Sequence, residues 1–257
     1  MRRQVSLTLA LPFLLFSILP QARAAFELAT VKVTPSRVET GTFYDGAKMS
    51  VAGLTGAGNK IIVVVRGPST SQVFNKIGRV GVIWVTTGKV TISAAPSLLL
   101  IFSSEPLNAC LSSAASVQYQ LDLGSLKKHL RIDTKAQDRD RIADDFLAFE
   151  ARQGNYRLNS VSVQTGALTH DGLPFSLNFE MPKSAAAGKY EVSVLQCRDG
   201  NVVNKVDVDF TVVAVGLPAL VSRLARERAS LYGFISIIIA MVAGFGVDFA
   251  ASHVFER

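Results

Sequence analysis

The chain has 257 residues, 49% apolar and 18% charged, with a formal net charge of +7 and a mean hydropathy of +0.30. Ordinary soluble domains carry about 25% charged residues, so this balance excludes a disordered chain and implies that part of it is built for lipid. Three histidines and two cysteines exclude a multi-histidine metal centre, a zinc ribbon and a disulfide-dense scaffold.

The chain starts with a basic Met1-Arg2-Arg3, runs through the 15 residues Val5 to Leu19 without a charge, and reaches Ala22-Arg23-Ala24 after Pro20. That order predicts a secretory signal peptide over residues 1–24, cleaved after Ala24. Fifteen helical residues span only about 22 Å, short of a hydrocarbon core near 30 Å. Cleavage removes Arg2, Arg3 and Arg23 and takes the formal charge from +7 to +4. Nearly half of the basic balance therefore carries no message about nucleic acid.

From Phe26 to about Ser103 the chain is a series of short runs rich in Val, Ile and Thr. The predicted strands are Glu27 to Val33, Lys48 to Leu54, Lys60 to Arg66, Gln72 to Lys76, Gly81 to Thr86, Lys89 to Ser93 and Leu98 to Phe102. Asp45-Gly46, Gly56-Ala57-Gly58, Gly67-Pro68 and Thr87-Gly88 supply turns. Gly53 to Lys60 has the look of a phosphate loop, but the pattern needs Gly-Lys-Ser/Thr contiguous, and here Asn59 precedes a Lys60 followed by Ile61. It reads as a hairpin turn. Trp84 and the phenylalanines are expected in the core.

Between Gln120 and Arg157 stand eight Lys/Arg and seven Asp/Glu, about a third of all charges. A solvated helix is expected there, with Thr134-Lys135-Ala136-Gln137 as capping box, Ile142, Phe146 and Phe149 as its apolar stripe and Gly154 as its stop. Shorter helices are expected over Leu107 to Ala115 and Leu126 to Leu130. Asp138, Asp140, Asp144 and Asp145 lack the glycine and closing glutamate of a calcium loop, and Arg141 reaches several of them at helical spacing. The β pattern returns over Tyr156 to Gln164, Phe175 to Glu180, Lys189 to Cys197 and Val202 to Val213. The last two form a hairpin through Asp199-Gly200.

His129, His170 and His253 are the only bases of their kind, none beside a serine or cysteine motif, and no G-x-S-x-G elbow occurs. No catalytic, cofactor-binding or metal-ligating residue is therefore assigned, and a non-enzymatic protein without cofactor is expected. A solute-binding or enzymatic site assembled from distant residues is the alternative. Cys110 and Cys197, once exported to an oxidising compartment, are permitted one disulfide, but nothing in their spacing pairs them. Two buried free thiols are the other reading.

Leu217, Leu220, Val221 and Leu224 share one face of an amphipathic helix over 217–230, with Arg223, Arg226 and Arg228 placed to contact a membrane surface. Leu231 to Val247 is then free of charge and apolar on every face, which predicts a transmembrane helix over 231–255. Ser236, Ala240, Gly244 and Ala251 form a small-residue stripe for packing on another membrane helix. The expected location is the inner membrane, single-pass, with the bulk of the chain in the periplasm. The three arginines before the span, against Arg257 alone after it, oppose that orientation under the positive-inside rule. Membrane lipid and a membrane-protein partner are the expected contacts, nucleic acid is not, and no ligand is legible.

The expected fold is mainly β with a helical insert. Two small antiparallel Ig-like β-sandwich units, 25–104 and 155–215, flank the charged helical segment 105–154. One larger sandwich with a helical insertion is the alternative. TPSRVETGTFYDGAKMSVAG, IIVVVRGP, GRVGVIWV, GKYEVSVLQCRDGNVV and RLARERASLYG, in that order, resemble the putative transmembrane protein family described mainly from alphaproteobacteria. The resemblance covers essentially the mature chain and implies an exported, carboxy-terminally anchored protein with no assigned activity. Members often lie beside a permease of the sulfite and sulfonate exporter class, which implies a transport accessory role.

Overall fold

The computed structural model describes residues 31–134 and 139–255. The signal peptide and the Lys135, Ala136 and Gln137 positions of the capping box lie outside them. The first part of the chain forms β1 (Lys32–Thr34), β2 (Arg37–Thr40), β3 (Ala47–Thr55), β4 (Lys60–Arg66), β5 (Ser69–Val80), β6 (Ile83–Pro96) and β7 (Leu99–Ser103). The insert follows with α1 (Leu107–Cys110), α2 (Ser113–Gln118), α3 (Leu123–His129), β8 (Arg131–Asp133) and α4 (Arg139–Arg152). Then come β9 (Tyr156–Val161), β10 (Gln164–Thr165), β11 (Leu173–Met181), β12 (Gly188–Arg198), β13 (Asn201–Ala214), α5 (Gly216–Glu227) and α6 (Ala229–Phe255).

One sheet has the order β1-β3-β11-β10 and the larger one β2-β13-β12-β4-β7-β9. Mainly β with a helical insert and a carboxy-terminal apolar helix is thus the architecture found. The partition into two neighbouring units does not describe the pairing: β3 pairs with β11 and β4 with β12, so strands from before and after the insert share both sheets. This is the larger sandwich with an insertion. Its reason is visible in β4, where all five residues from Ile61 to Val65 are buried. A strand apolar on both faces needs neighbours and cover on each side, which one small unit does not provide.

The two faces of the larger sheet serve two cores. Ile61, Val63 and Val65 of β4, with Val192 and Val194 of β12, meet Val51, Leu177 and Phe179 of the smaller sheet, and the Tyr190 and Phe210 rings stack at 5.0 Å. Ile62, Val64, Leu99, Ile101 and Leu195 point the other way, toward Leu111, Leu121, Leu126 and Phe146 of the insert. The helices therefore roof the outer face of the sandwich. A third sheet, β5-β6-β8, lies on that side and contributes Val90 and Ile92 to the same core.

The β12–β13 hairpin matches expectation: Asp199 and Gly200 have φ of 51° and 76°, the double left-handed conformation that suits the twist of a two-residue turn. The short helix expected over Leu107 to Ala115 is instead two, because Leu111 is extended and Ser112 starts α2 by accepting from Ala115 N. Runs drawn as three strands between Gln72 and Ser93 are one long hairpin. It turns at Gly81-Val82, and Thr87-Gly88 lies inside β6 beside a register shift, so it bends a strand rather than ending it. Trp84 is no core residue: it is 71% exposed near the hairpin tip, and Phe43 is exposed as well.

Candidate functional site

The clearest concavity lies where the root of the β5–β6 hairpin meets α4. It is a groove of about 670 Å³, within the range usual for small-molecule sites. Phe74 and Ile77 of β5, Val90 and Ile92 of β6, and Ile142, Phe146 and Phe149 of α4 supply its apolar wall. Ile142, Phe146 and Phe149 recur at three and four residues, so a helix presents them on one side. The ring of Phe74 sits edge-on to both Phe146 and Phe149 at centroid distances of 5.9 Å, and Phe146 meets Tyr156 edge-on at 6.2 Å. Lys76, Arg141, Asp145 and Arg152 stand around this wall.

Glu150 holds the two walls together. Its carboxylate is buried, accepts from Gln72 Nε2 of β5 at 3.1 Å and from Asn155 Nδ2 at 2.7 Å, and so ties strand, helix and the turn after the helix. Beneath it the Tyr156 hydroxyl donates to Pro96 O at 2.7 Å, and burial, with the Glu150 charge nearby, raises the Tyr156 pKa. That phenol stays neutral and acts as a strut.

The acidic residues of α4 do not gather into a cation site. Lys127 of α3 donates to Asp144 at 2.8 Å and lies 3.6 Å from Asp140, so the helix is charged on one side because it faces a lysine of its neighbour. Among the described residues Lys127, rather than Arg141, is the partner of Asp140 and Asp144; Asp138 lies outside them. Among the described residues no group of three or more His, Cys, Asp and Glu is placed to hold a metal ion. The histidines are apart: His129 Nδ1 is 2.8 Å from Ser125 O on its own helix, His170 is exposed beside Asp171, and His253 belongs to α6. Ser193 on β12 donates to Asp207 at 2.6 Å and to Glu191 at 3.1 Å, and these contacts supply it with no imidazole base.

Cys110 and Cys197 are both buried in the core beneath the insert and both are free thiols here. Desolvation pushes Cys197 up to about 12 and raises Cys110, whose Sγ donates to Glu105 O at 3.4 Å.

Ser236, Ala240 and Gly244 stand exposed along α6, the Ser236 hydroxyl donates to Tyr232 O at 2.8 Å, and nothing lies within 4 Å of a Cβ built on Gly244. Ala251 continues the helix. Leu217, Leu220 and Val221 of α5 are exposed. Arg223 pairs with Glu227 at 3.4 Å, Arg226 donates to Ser222 O, and Arg228 ends the helix. The structure thus leaves the small-residue stripe and the arginine cluster separate from the groove. Sequence reasoning missed the groove because Phe74 is far along the chain from Phe146. The stripe on α4 was its one legible half.

A family described as Putative transmembrane protein (Alph_Pro_TM) matches residues 29–256 of the chain. No curated protein and no solved structure matches it.

Proposed function

Because the chain belongs to the Putative transmembrane protein (Alph_Pro_TM) family and the match extends through α6, we propose that it is a non-enzymatic accessory protein, anchored in the inner membrane, that engages a membrane partner. The observation that carries this reading is α6 itself. It has an apolar segment, Ala229–Asp248, of which no part is buried against the β body, so its whole circumference is open to lipid or to another helix. The stripe of Ser236, Ala240, Gly244 and Ala251 gives a partner helix a line of close approach. A permease of the sulfite and sulfonate exporter class is the partner this reading favours, with the β body in the periplasm. Affinity purification of the full chain from native membranes, wild type against Gly244→Leu, tests it. A membrane protein recovered with the wild type and lost with the variant is expected; equal recovery refutes helix pairing. Single cysteines at Asn201 and Glu256, in a background lacking Cys110 and Cys197, test orientation in intact cells. Labelling of Asn201 alone by an impermeant thiol reagent is expected, and the reverse pattern refutes a periplasmic body.

The groove favours a second reading, a solute-binding module. Its wall is mostly apolar and its edge carries Lys76, Arg141 and Arg152 against Asp145, a balance that suits a small amphiphile with one anionic head. Saturable binding of an alkanesulfonate by the full chain, weakened by Arg141→Glu with Arg152→Glu, supports it. Binding indifferent to both charges removes it.

A further inference from the structure

Beyond the groove that Phe74, Lys76 and Ile77 line, the β5–β6 hairpin runs on to an exposed tip. Residues 69–96 hold three cations, Lys76, Arg79 and Lys89, and no aspartate or glutamate. At the tip Val82 is 86% exposed, Ile83 59% and Trp84 71%, with Ile77 64% exposed one turn of pleat away. Trp84 pairs directly across from Arg79, whose Nε donates to Gly81 O. Soluble surfaces rarely gather an exposed Trp, Ile and Val at one point, and gatherings of this kind mark contact surfaces.

The hairpin also starts from an informative place. Its root, Pro68, lies against Gly188, where a Cβ would come within 2.8 Å of Pro68 Cγ, and Gly188 pairs with Val212 on β13. Two residues later β13 ends at Ala214, and α5 and then α6 follow. The hairpin therefore leaves the sandwich at the same end as the membrane anchor. Twelve residues of β5 reach about 40 Å at strand rise, while the twelve residues of α5 cover about 18 Å. The hairpin is long enough to meet the bilayer that α6 enters.

We infer that the β5–β6 tip docks on an anionic lipid surface, with Val82, Ile83 and Trp84 in the headgroup region and Arg79 and Lys89 beside the lipid phosphates. Three observations select lipid over a protein partner. The hairpin starts from the end of the sandwich that leads to α6, the charge on the hairpin has one sign, and a tryptophan beside an arginine is the pairing that interfacial segments use. The groove then sits at the base of a membrane-held arm, and the body has two attachments to the bilayer rather than one.

Trp84 is the only tryptophan in the chain, so its emission reports the tip alone. The full chain is placed in nanodiscs of phosphatidylcholine with phosphatidylglycerol, once with ordinary and once with brominated acyl chains. Docking predicts a blue-shifted emission that falls by roughly half or more with brominated lipid, since the indole then sits at the acyl boundary. Replacing Arg79 and Lys89 by Glu restores it. No loss with brominated lipid while aqueous iodide quenches freely places the tip in water and overturns the inference. No loss with either quencher means the tip is covered by protein, a second copy or another partner, and overturns it equally. The same loss in purely zwitterionic nanodiscs overturns the claim for anionic lipid. The wild-type comparison needs no variant to fold.

Discussion

Replacing Glu150 by alanine tests whether one buried carboxylate holds the hairpin root to α4. The wild-type side chain is 2% exposed and accepts two hydrogen bonds, from Gln72 at 3.1 Å and Asn155 at 2.7 Å. Bonds to a charged acceptor contribute about 1.5–3 kcal/mol each, so losing both sets a ceiling of about 3–6 kcal/mol. Gln72 and Asn155 are only half-buried and regain part of this from water. The expected net loss is therefore about 2–3 kcal/mol, which for a chain of this size lowers Tm by about 4–12 °C. Glu150→Gln keeps the shape and one acceptor oxygen but turns an amide toward the second donor, so it should fall between wild type and Glu150→Ala. Circular dichroism melts of the full chain in detergent, monitored at the β signal, give the ranking. Adding Gln72→Ala isolates the strand-to-helix bond through a coupling of about 1 kcal/mol. Variants that melt together with the wild type, or a coupling near zero, would refute the role of Glu150 as the tie across the groove.

Gly67→Ala should destabilise by about 2 kcal/mol or more, because a Cβ there would lie 2.3 Å from Ser97 Oγ, 2.9 Å from Leu98 N and 3.0 Å from Tyr190 Cε1; a melt within 1 °C of wild type would contradict this packing. Burial alone would raise the Asp207 pKa, but the Ser193 hydroxyl at 2.6 Å and the Lys205 ammonium at 2.9 Å outweigh it and hold the carboxyl below its ordinary value. A depressed folded value stabilises the protein above the unfolded pKa near about 4 and is lost as pH falls through the folded one. Urea midpoints against pH should therefore drop below about pH 4 in the wild type and drop less steeply in Asp207→Asn. With both thiols buried and raised, N-ethylmaleimide should add nothing to Cys110 or Cys197 in the native chain and two adducts after denaturation. A denatured mass with no adduct would show a disulfide instead.

Much of this protein was legible in one dimension, wherever the deciding interaction is local or is with solvent. An apolar run like Leu231 to Val247 has no water-compatible face in any tertiary context, so α6 follows from the residues alone. Asp199-Gly200 dictates its turn because only a few residues tolerate the left-handed backbone it needs. The alternation along β13 likewise announces a half-wet strand.

The tertiary structure decided what depends on which distant surfaces meet. Periodicity gives each strand its inner face but not its neighbours, so the pairing of β4 with β7 on one side and with β12 across the insert on the other had no sequence signature. Cys110 and Cys197, permitted a bond by chemistry, are brought into one core beneath the insert, a placement their distance along the chain does not foretell. Trp84 is exposed because its position at a hairpin tip overrides the general tendency of large apolar residues to be buried. The groove exists because Phe74, a lone aromatic in a strand of mixed composition, meets the α4 stripe across a fold that only the roofed sandwich brings about.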